Sequence, residues 1–370
     1  MSRVHQLLPK AGLMAALALS ITACSEAKQD AEAKLAESNK SAGYEAPRNS
    51  HGQPDLQGIW DFRTLTPLER PKAFGDKAVF TAEEQAAFRA QAVDATDVDK
   101  LREKTAETDA ATDIEGAYNN FWMDYGTTMN EDRRTSLIID PANGRLPKLT
   151  EEAIARMKED RNLIPPVRNI VSIGLVDFLP TGPEVLGLSE RCLLSFNAGP
   201  PLIPSAYNNN LRIIQTPKHV VIFTEMIHDA RIVPIDGSPH LPAEMTKWTG
   251  DSRGYWEGDT LVVKTTNFTG KTPTFQLPLN LNEPEMNGVV GTGEHFTLIE
   301  RFTRTSDSRI NYEYTVNDPS TFTQPFTALI PLKATDGQMF EYACHEGNHG
   351  AAGMLSGARQ SEKEAAAAPL

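Results

Sequence analysis

The sequence predicts a mainly β fold, an antiparallel barrel or sandwich with a few peripheral helices in the N-terminal third. From Arg191 onward, short runs of β-type residues are separated by turn residues such as Asp336-Gly337, a pattern typical of antiparallel sheets. The 25 glycines and 25 prolines also indicate many turns. The predicted strands are Leu211–Gln215, His219–Met226, Arg231–Ile235, Thr260–Phe268, Phe296–Arg304, Arg309–Val316, Phe326–Leu332 and Gln338–Cys344.

The start of the chain is typical of a bacterial secretory signal. Arg3 and Lys10 precede an apolar stretch, Ala11–Ile21, and small residues then lead to Cys24. We expect residues 1–23 to be removed and Cys24 to carry lipid. The protein would then be anchored in the cell envelope, facing the periplasm or the cell exterior, with the outer membrane favoured. The alternative is an ordinary signal peptide followed by an incidental cysteine.

The first elements after this segment can be placed in chain order. Residues 24–50 have almost no large apolar side chains and are predicted to form a disordered tether, after which Asp55–Trp60 leads into a strand. The run from Thr81 to about Gln91 is predicted to be a helix, because Thr81 and Glu84 have the spacing of a capping box.

Further elements complete a single β-rich domain predicted over residues 51–360, with a flexible tail over 361–370. The polar continuation through Gly116 is expected to be helical in part, and Thr150 opens a short helix that ends near Asp160. The segment from Arg134 to Pro147 is predicted to form a further hairpin.

The charge of the chain argues against polyanionic partners. Removal of residues 1–23 takes away two basic residues and moves the formal net charge from −13 to −15, which disfavours binding to nucleic acid or to anionic lipid surfaces. No apolar stretch after Ile21 is long enough to span a bilayer, so we expect membrane contact through the Cys24 lipid alone. Phosphate-binding and dinucleotide-binding glycine motifs are absent from the sequence, and no cofactor is predicted.

Two cysteines are left once Cys24 is lipidated. In an oxidising compartment Cys192 and Cys344 can form one disulfide, which would close a loop of roughly 150 residues and stabilise the fold by about 4–5 kcal/mol through loop-closure entropy. The alternatives are two buried thiols, or a chemical role for Cys344 as a nucleophile or metal ligand.

The densest group of polar residues is the segment Glu225–Arg231, which lies between two apolar runs. An imidazole with a carboxylate partner is a competent general base, so we expect His228 to act as the base with Asp229 or Glu225 orienting it. Arg231 would bind developing negative charge. The alternative is a half-exposed strand that carries a ladder of salt bridges.

A second polar cluster follows the last predicted strand. His345 and Glu346 are candidates for a second acid–base pair or for ligand contacts. A divalent metal held by His228, Asp229 and His345 is a further hypothesis, and simple turn polarity is the alternative.

Two more segments are candidates for substrate binding. Tyr207, Asn208 and Asn210 follow a proline-rich stretch and could present a ring and amide groups to a ligand, although asparagines also suit a purely structural loop. Arg253 and Trp256 lie in an aromatic-rich segment that could line a pocket for a sugar or aromatic ring. Core anchoring is the alternative there.

Four of these segments together resemble a large family of uncharacterised secreted bacterial proteins, over most of residues 55–358. The resemblance implies no settled activity. A second, looser resemblance is to lipocalin-like barrels, whose first strand begins with a motif similar to Gly58-Ile59-Trp60, and it implies a barrel around a pocket for a small, often apolar ligand. The segments of the first resemblance are Arg134–Ile138, Glu225–Arg231, Gly250–Val263 and Cys344–Asn348.

These features lead to one main functional hypothesis and two alternatives. We expect a lipid-anchored periplasmic enzyme that performs acid–base chemistry, as a hydrolase, lyase or isomerase, on a small organic substrate in a β-barrel pocket. The first alternative is a non-catalytic lipoprotein that binds a hydrophobic or glycan ligand. The second is a structural protein of the cell envelope whose polar clusters are surface salt bridges.

Overall fold

Strands dominate the described parts of the chain. The structure is a computed structural model, and it describes residues 44–96, 124–156, 182–186, 188–195, 197–270, 273–277, 288–291 and 295–367, of which 95–96, 273–277 and 288–291 are described by their backbone alone. The predicted signal segment, Cys24 and most of the polar stretch that ends at Gly116 lie outside the described residues.

The described residues include two helices, three short 3-10 turns and twelve strands. The helices are α1 (Ala82–Thr96) and α2 (His349–Ala367), and short 3-10 turns span Lys72–Phe74, Pro183–Val185 and Met226–His228. The strands are β1 (Gly58–Asp61), β2 (Ile138–Asp140), β3 (Asn210–Gln215), β4 (His219–Thr224), β5 (Ala230–Pro234), β6 (Asp251–Glu257), β7 (Thr260–Thr266), β8 (Pro273–Leu277), β9 (Gly288–Gly291), β10 (Thr297–Ser306), β11 (Arg309–Asn317) and β12 (Phe326–Ala334).

Nine strands form a nearly closed antiparallel barrel, which confirms the predicted fold class. Their order is β5-β4-β3-β1-β12-β11-β10-β7-β6, while β2 pairs with β12 off this path and β8 pairs with β9 in a separate hairpin. The first strand therefore lies between β3 and β12, with Trp60 opposite both Leu211 and Ala334.

The core lies inside the barrel because alternate residues of each strand point inward. On β11 the inward residues are Ile310, Tyr312, Tyr314 and Val316, and all four are fully buried. The exclusion of this apolar surface from water is the main term that stabilises the barrel. The other inward residues include Trp60, Leu211, Ile213, Ile222, Val233, Leu261, Val263, Leu298, Phe302, Phe326, Ala328, Ile330 and Leu332.

The N-terminal helix forms as its capping pattern predicts. The Thr81 backbone N–H donates to Glu84 Oε2 at 2.8 Å, and the Glu84 N–H donates back to Thr81 Oγ1 at 3.2 Å. A second predicted helix is also present over residues 151–156, where Thr150 Oγ1 accepts the Ala153 N–H at 3.1 Å. Its expected end near Asp160 lies outside the described residues.

Two predicted strand features are wrong. The segment from Arg134 to Pro147 is not a hairpin, because β2 takes its hydrogen bonds from β12 and a turn follows it. The predicted strand Gln338–Cys344 has no ladder partner among the described residues. Instead of pairing with another strand, the backbone N–H of Phe340 donates a hydrogen bond to the Glu225 side chain.

The ends of the domain also differ from the predicted boundaries. Ordered structure begins before residue 51, because Ala46 is buried and Arg48 pairs with Asp259 at 2.6 Å. At the other end, α2 continues across residue 360 to Ala367, and it lies outside the N-terminal third in which helices were expected.

The barrel closes at a seam between β5 and β6. Each neighbouring pair in the strand order is antiparallel, so with nine strands β5 and β6 run in the same direction, and no ladder joins them within the described residues. The seam is closed by side chains that pack against Gly254. A Cβ atom at Gly254 would lie 2.9 Å from Ile235 and 3.0 Å from Val233.

We therefore expect Gly254→Val to lower the free energy of unfolding by about 1–3 kcal/mol, because the added side chain forces Val233 and Ile235 out of place. Urea denaturation of the purified variant measures this loss. The matched control is Gly353→Ala in α2, where an added Cβ meets no atom within 4 Å and stability should not fall. An unchanged midpoint for Gly254→Val would show that the seam is loosely packed.

Candidate functional site

The connection between β4 and β5 places the main candidate residues in a tight turn. Ile227 and His228 both have left-handed backbone angles, with φ of 49° and 47°. A β-branched residue such as Ile227 rarely adopts this conformation, so the turn is strained and depends on its surroundings. Met226 anchors the turn because its side chain is fully buried.

Glu225 opens this turn with a carboxylate that is only 4% exposed. Asn210 Nδ2 donates to its Oε2 at 2.8 Å, and the Phe340 backbone N–H donates to its Oε1 at 2.9 Å. The two donors satisfy buried oxygen atoms whose burial without hydrogen bonds would be costly. Glu225 therefore connects β3 to the C-terminal part of the chain.

His228 is positioned by the same C-terminal segment. Its Nδ1 lies 3.1 Å from the backbone carbonyl oxygen of Tyr342. A carbonyl oxygen only accepts hydrogen bonds, so Nδ1 carries the hydrogen, and in the neutral ring Nε2 holds the lone pair. This geometry leaves Nε2 suited to accept a proton.

Asp229 follows directly and lies half-buried. Burial raises the pKa of its carboxyl, while Arg231, the Ala230 backbone and His228 act in the opposite direction. Its backbone carbonyl accepts the Thr224 N–H at 2.9 Å and so closes the turn.

Arg231 points into the barrel rather than along the turn. Its guanidinium forms two hydrogen bonds with the Glu300 carboxylate, at 2.5 and 2.9 Å. Tyr312 Oη donates to the same carboxylate at 2.8 Å and accepts the Leu202 N–H at 3.1 Å. Burial and the nearby Glu300 charge raise the pKa of Tyr312, so it stays a hydrogen-bond donor at neutral pH.

The predicted binding residues before β3 lie in a loop that is held by hydrogen bonds from Asn197. The carbonyl oxygens of Tyr207 and Asn208 accept hydrogen bonds from Asn197 Nδ2 at 2.7 and 3.1 Å. Asn208 has a φ of 54°, a conformation that asparagine tolerates. The Tyr207 ring stacks on the Tyr342 ring, with centroids 6.4 Å apart.

We call residues 338–344 the strap, because this segment without regular structure contacts Tyr207, Glu225 and His228. The strap ends at Cys344, which forms the predicted disulfide with Cys192. The disulfide is therefore confirmed.

His345 and Glu346 follow the strap in an exposed turn. Their role as a second acid–base pair stays a prediction. Among the described residues, no three His, Cys, Asp or Glu side chains lie where they could hold a metal ion, including the set of His228, Asp229 and His345.

The residues predicted on β6 have separate surroundings. Arg253 donates to the Pro239 carbonyl oxygen and to Asp251 Oδ1, both at 2.9 Å, and so holds the loop that precedes β6. Trp256 packs against the barrel core, and its Nε1 is buried with no hydrogen-bond partner among the described residues.

Sequence reasoning missed an aspartate–histidine pair beside Arg253. Asp251 is only 2% exposed, and its Oδ2 accepts hydrogen bonds from the Leu241 N–H at 3.1 Å and from His240 Nδ1 at 3.2 Å. Burial opposes ionisation of Asp251, but these bonds and Arg253 outweigh it and lower the pKa of the carboxyl. The residues are too far apart in sequence for a local pattern to reveal the pair.

The structure thus brings Tyr207, Asn210, Glu225 and His228 together around the strap, with Asp229 beside them, and places Arg253 and Trp256 elsewhere. Comparison with protein-family models, curated proteins and solved structures finds no match. Both resemblances in the sequence therefore stay predictions. In the described ranges, no helix is long and apolar enough to cross a bilayer.

Two carboxylates near the ends of β5 and β6 should affect stability with opposite signs. The pKa of Asp229 in the folded state lies above its ordinary value of 3.8, so its ionisation destabilises the fold at neutral pH. Asp229→Asn should be more stable than the wild type at pH 7, and the difference should disappear as the pH falls below 3.8. Urea denaturation between pH 3 and 7 measures the difference.

Asp251→Asn is the matched control. Because the pKa of Asp251 is lowered, its ionised form stabilises the fold above pH 3.8, and this stability is lost as the pH falls through the folded pKa. The variant should be less stable than the wild type at pH 7, with a gap that narrows in acid. If both variants changed the stability in the same direction at pH 7, this result would contradict the opposite pKa shifts of Asp229 and Asp251.

Proposed function

We propose that the protein is a lipid-anchored periplasmic enzyme that performs acid–base chemistry on a small organic substrate, as a hydrolase, lyase or isomerase. The observation that carries the proposal is the His228 ring, which is held through Nδ1 by the Tyr342 carbonyl oxygen at 3.1 Å on a strained turn. Strained backbone is concentrated at functional sites, because it persists only where the surroundings enforce it. The signal-like segment that ends at Cys24 supports the proposed location.

In this proposal His228 Nε2 is the general base. Asp229, a half-buried carboxyl next to His228 in the chain, is the proposed acid, and burial raises its pKa. Arg231 is paired with Glu300, which neutralises its charge, so the structure does not favour Arg231 for the predicted binding of developing negative charge. Tyr207 is a candidate for contact with the substrate, because its ring stacks on Tyr342, whose carbonyl oxygen holds His228.

His228→Gln tests the base. Glutamine keeps an amide donor for the Tyr342 carbonyl but cannot accept a proton, so we expect turnover to fall by about 100- to 10,000-fold. The measurement is NMR of a panel of small esters, lactones and elimination or isomerisation substrates incubated with the purified protein. Thermal unfolding should stay within a few degrees of the wild type.

The control is His51→Gln, which changes an exposed histidine in the turn before β1 and should leave turnover unchanged. Wild-type turnover that survives in His228→Gln would contradict the assignment of the base. A variant that loses its fold would assign His228 to structural support instead.

A second candidate function is the binding of a hydrophobic or glycan ligand in the barrel. The Trp256 indole N–H favours it, because a buried donor without an acceptor in the described chain is costly and suits an acceptor on a ligand. This function needs no general base, so it depends on Trp256 and not on His228.

Trp256→Phe distinguishes the two functions. It removes the donor and keeps an aromatic ring, so a ligand retained in native mass spectra of the periplasmically expressed protein should bind about five- to tenfold more weakly. His228→Gln should retain that ligand at wild-type affinity. The opposite pattern of losses would contradict the binding function.

A further inference from the structure

The strap has no buried residue and no ladder partner in the part of the chain that the structure describes. Its position depends on the Phe340 N–H donated to Glu225, on the Tyr342 carbonyl beside His228 and on the stack of Tyr342 with Tyr207. Segments with so little buried surface open far more easily than core strands. The covalent bond at Cys344 is the remaining restraint.

The two sulfur atoms of that bond differ in their surroundings. Cys192 is only 6% exposed, whereas Cys344 is half-buried at the end of the exposed strap. Asn348 Nδ2 lies 3.5 Å from Cys192 Sγ and donates to the Glu190 carbonyl oxygen at 2.6 Å, which fixes the amide beside the sulfur. A donor at this position stabilises a thiolate on Cys192, and a stabilised thiolate is the better leaving group in disulfide exchange.

We propose that the Cys192–Cys344 bond is a thiol–disulfide exchange site that locks the strap over the candidate active site. The partner is a dithiol reductant. One thiolate of the reductant attacks Cys344 Sγ, the disulfide breaks, and Cys192 leaves as a thiolate that then takes up a proton. The second thiol of the reductant displaces Cys344, so that the reductant gains a disulfide and the protein gains two thiols.

The reduced protein loses the one covalent restraint described on the strap. Tyr342 can then move away from His228, and the Phe340 N–H can leave Glu225, which exposes both side chains to a substrate. The consequence for activity rests on the proposed function. The opening itself is a property of the strap and is measured without any substrate.

Hydrogen exchange followed by mass spectrometry tests the opening on the full-length protein, before and after reduction with dithiothreitol. We expect the Phe340 amide to exchange about tenfold faster in the reduced protein, because its hydrogen bond to Glu225 then opens readily. Amides in β10, β11 and β12 serve as the internal reference and should be unchanged. Equal exchange of the Phe340 amide in the two forms, or loss of protection throughout the barrel, would overturn the proposal.

The rate of reduction tests the leaving group separately. Asn348→Ala should slow reduction by dithiothreitol about fivefold, since it removes one hydrogen bond from the departing Cys192 thiolate. The rate is followed by alkylation and intact mass, with Ser356→Ala in α2 as the matched control. An equal rate for Asn348→Ala and the wild type would overturn the assigned direction of attack. If His228→Gln retains turnover while the strap opens on reduction, only the proposed function fails.

Discussion

A buried ion pair between Arg231 and Glu300 links the seam of the barrel to the candidate site. An odd number of antiparallel strands leaves β5 and β6 parallel at the seam, without a ladder between them. Arg231 lies on β5 at one end of the strand order, and Glu300 lies on β10, two strands in from the other end, so their two hydrogen bonds join the two sides of the seam from inside the barrel. Charges removed from water in this way are tolerated only as a pair, because either partner alone would be left buried and uncompensated.

The candidate site lies next to this ion pair in the chain, because Arg231 follows His228 by three positions. Asp229 lies between the two, and both Arg231 and His228 lower the pKa of its carboxyl against the larger effect of burial, which raises it. The strap then completes the site from outside by engaging Glu225 and His228 through backbone groups rather than through its own side chains.

Elements that depend on a local sequence pattern could be predicted from the sequence. Alternation identified β3, β4, β10 and β11, and Thr81 with Glu84 identified the start of α1. The concentration of an acid, a base and a cation between β4 and β5 was also visible, but the partners of these groups were not. Asn210 meets Glu225 at the end of the β3–β4 hairpin, whose register the sequence does not give. Glu300 and Tyr342 come from distant parts of the chain, and only the folded domain brings them to Arg231 and His228. The error at Gln338–Cys344 has the same cause, because an apolar and aromatic run reads as a strand whether or not a neighbouring edge is available.

The place of β1 in the sheet has a consequence for how the chain is made. This strand is synthesised first among the nine, yet its two neighbours are β3 and β12, and Trp60 meets Ala334 only when almost the whole domain has emerged. Pairings between such distant residues form late, since the intervening chain must be ordered first. Until β3 and β12 have been made, the N-terminal strand therefore has unpaired edges, through which incompletely folded chains can associate.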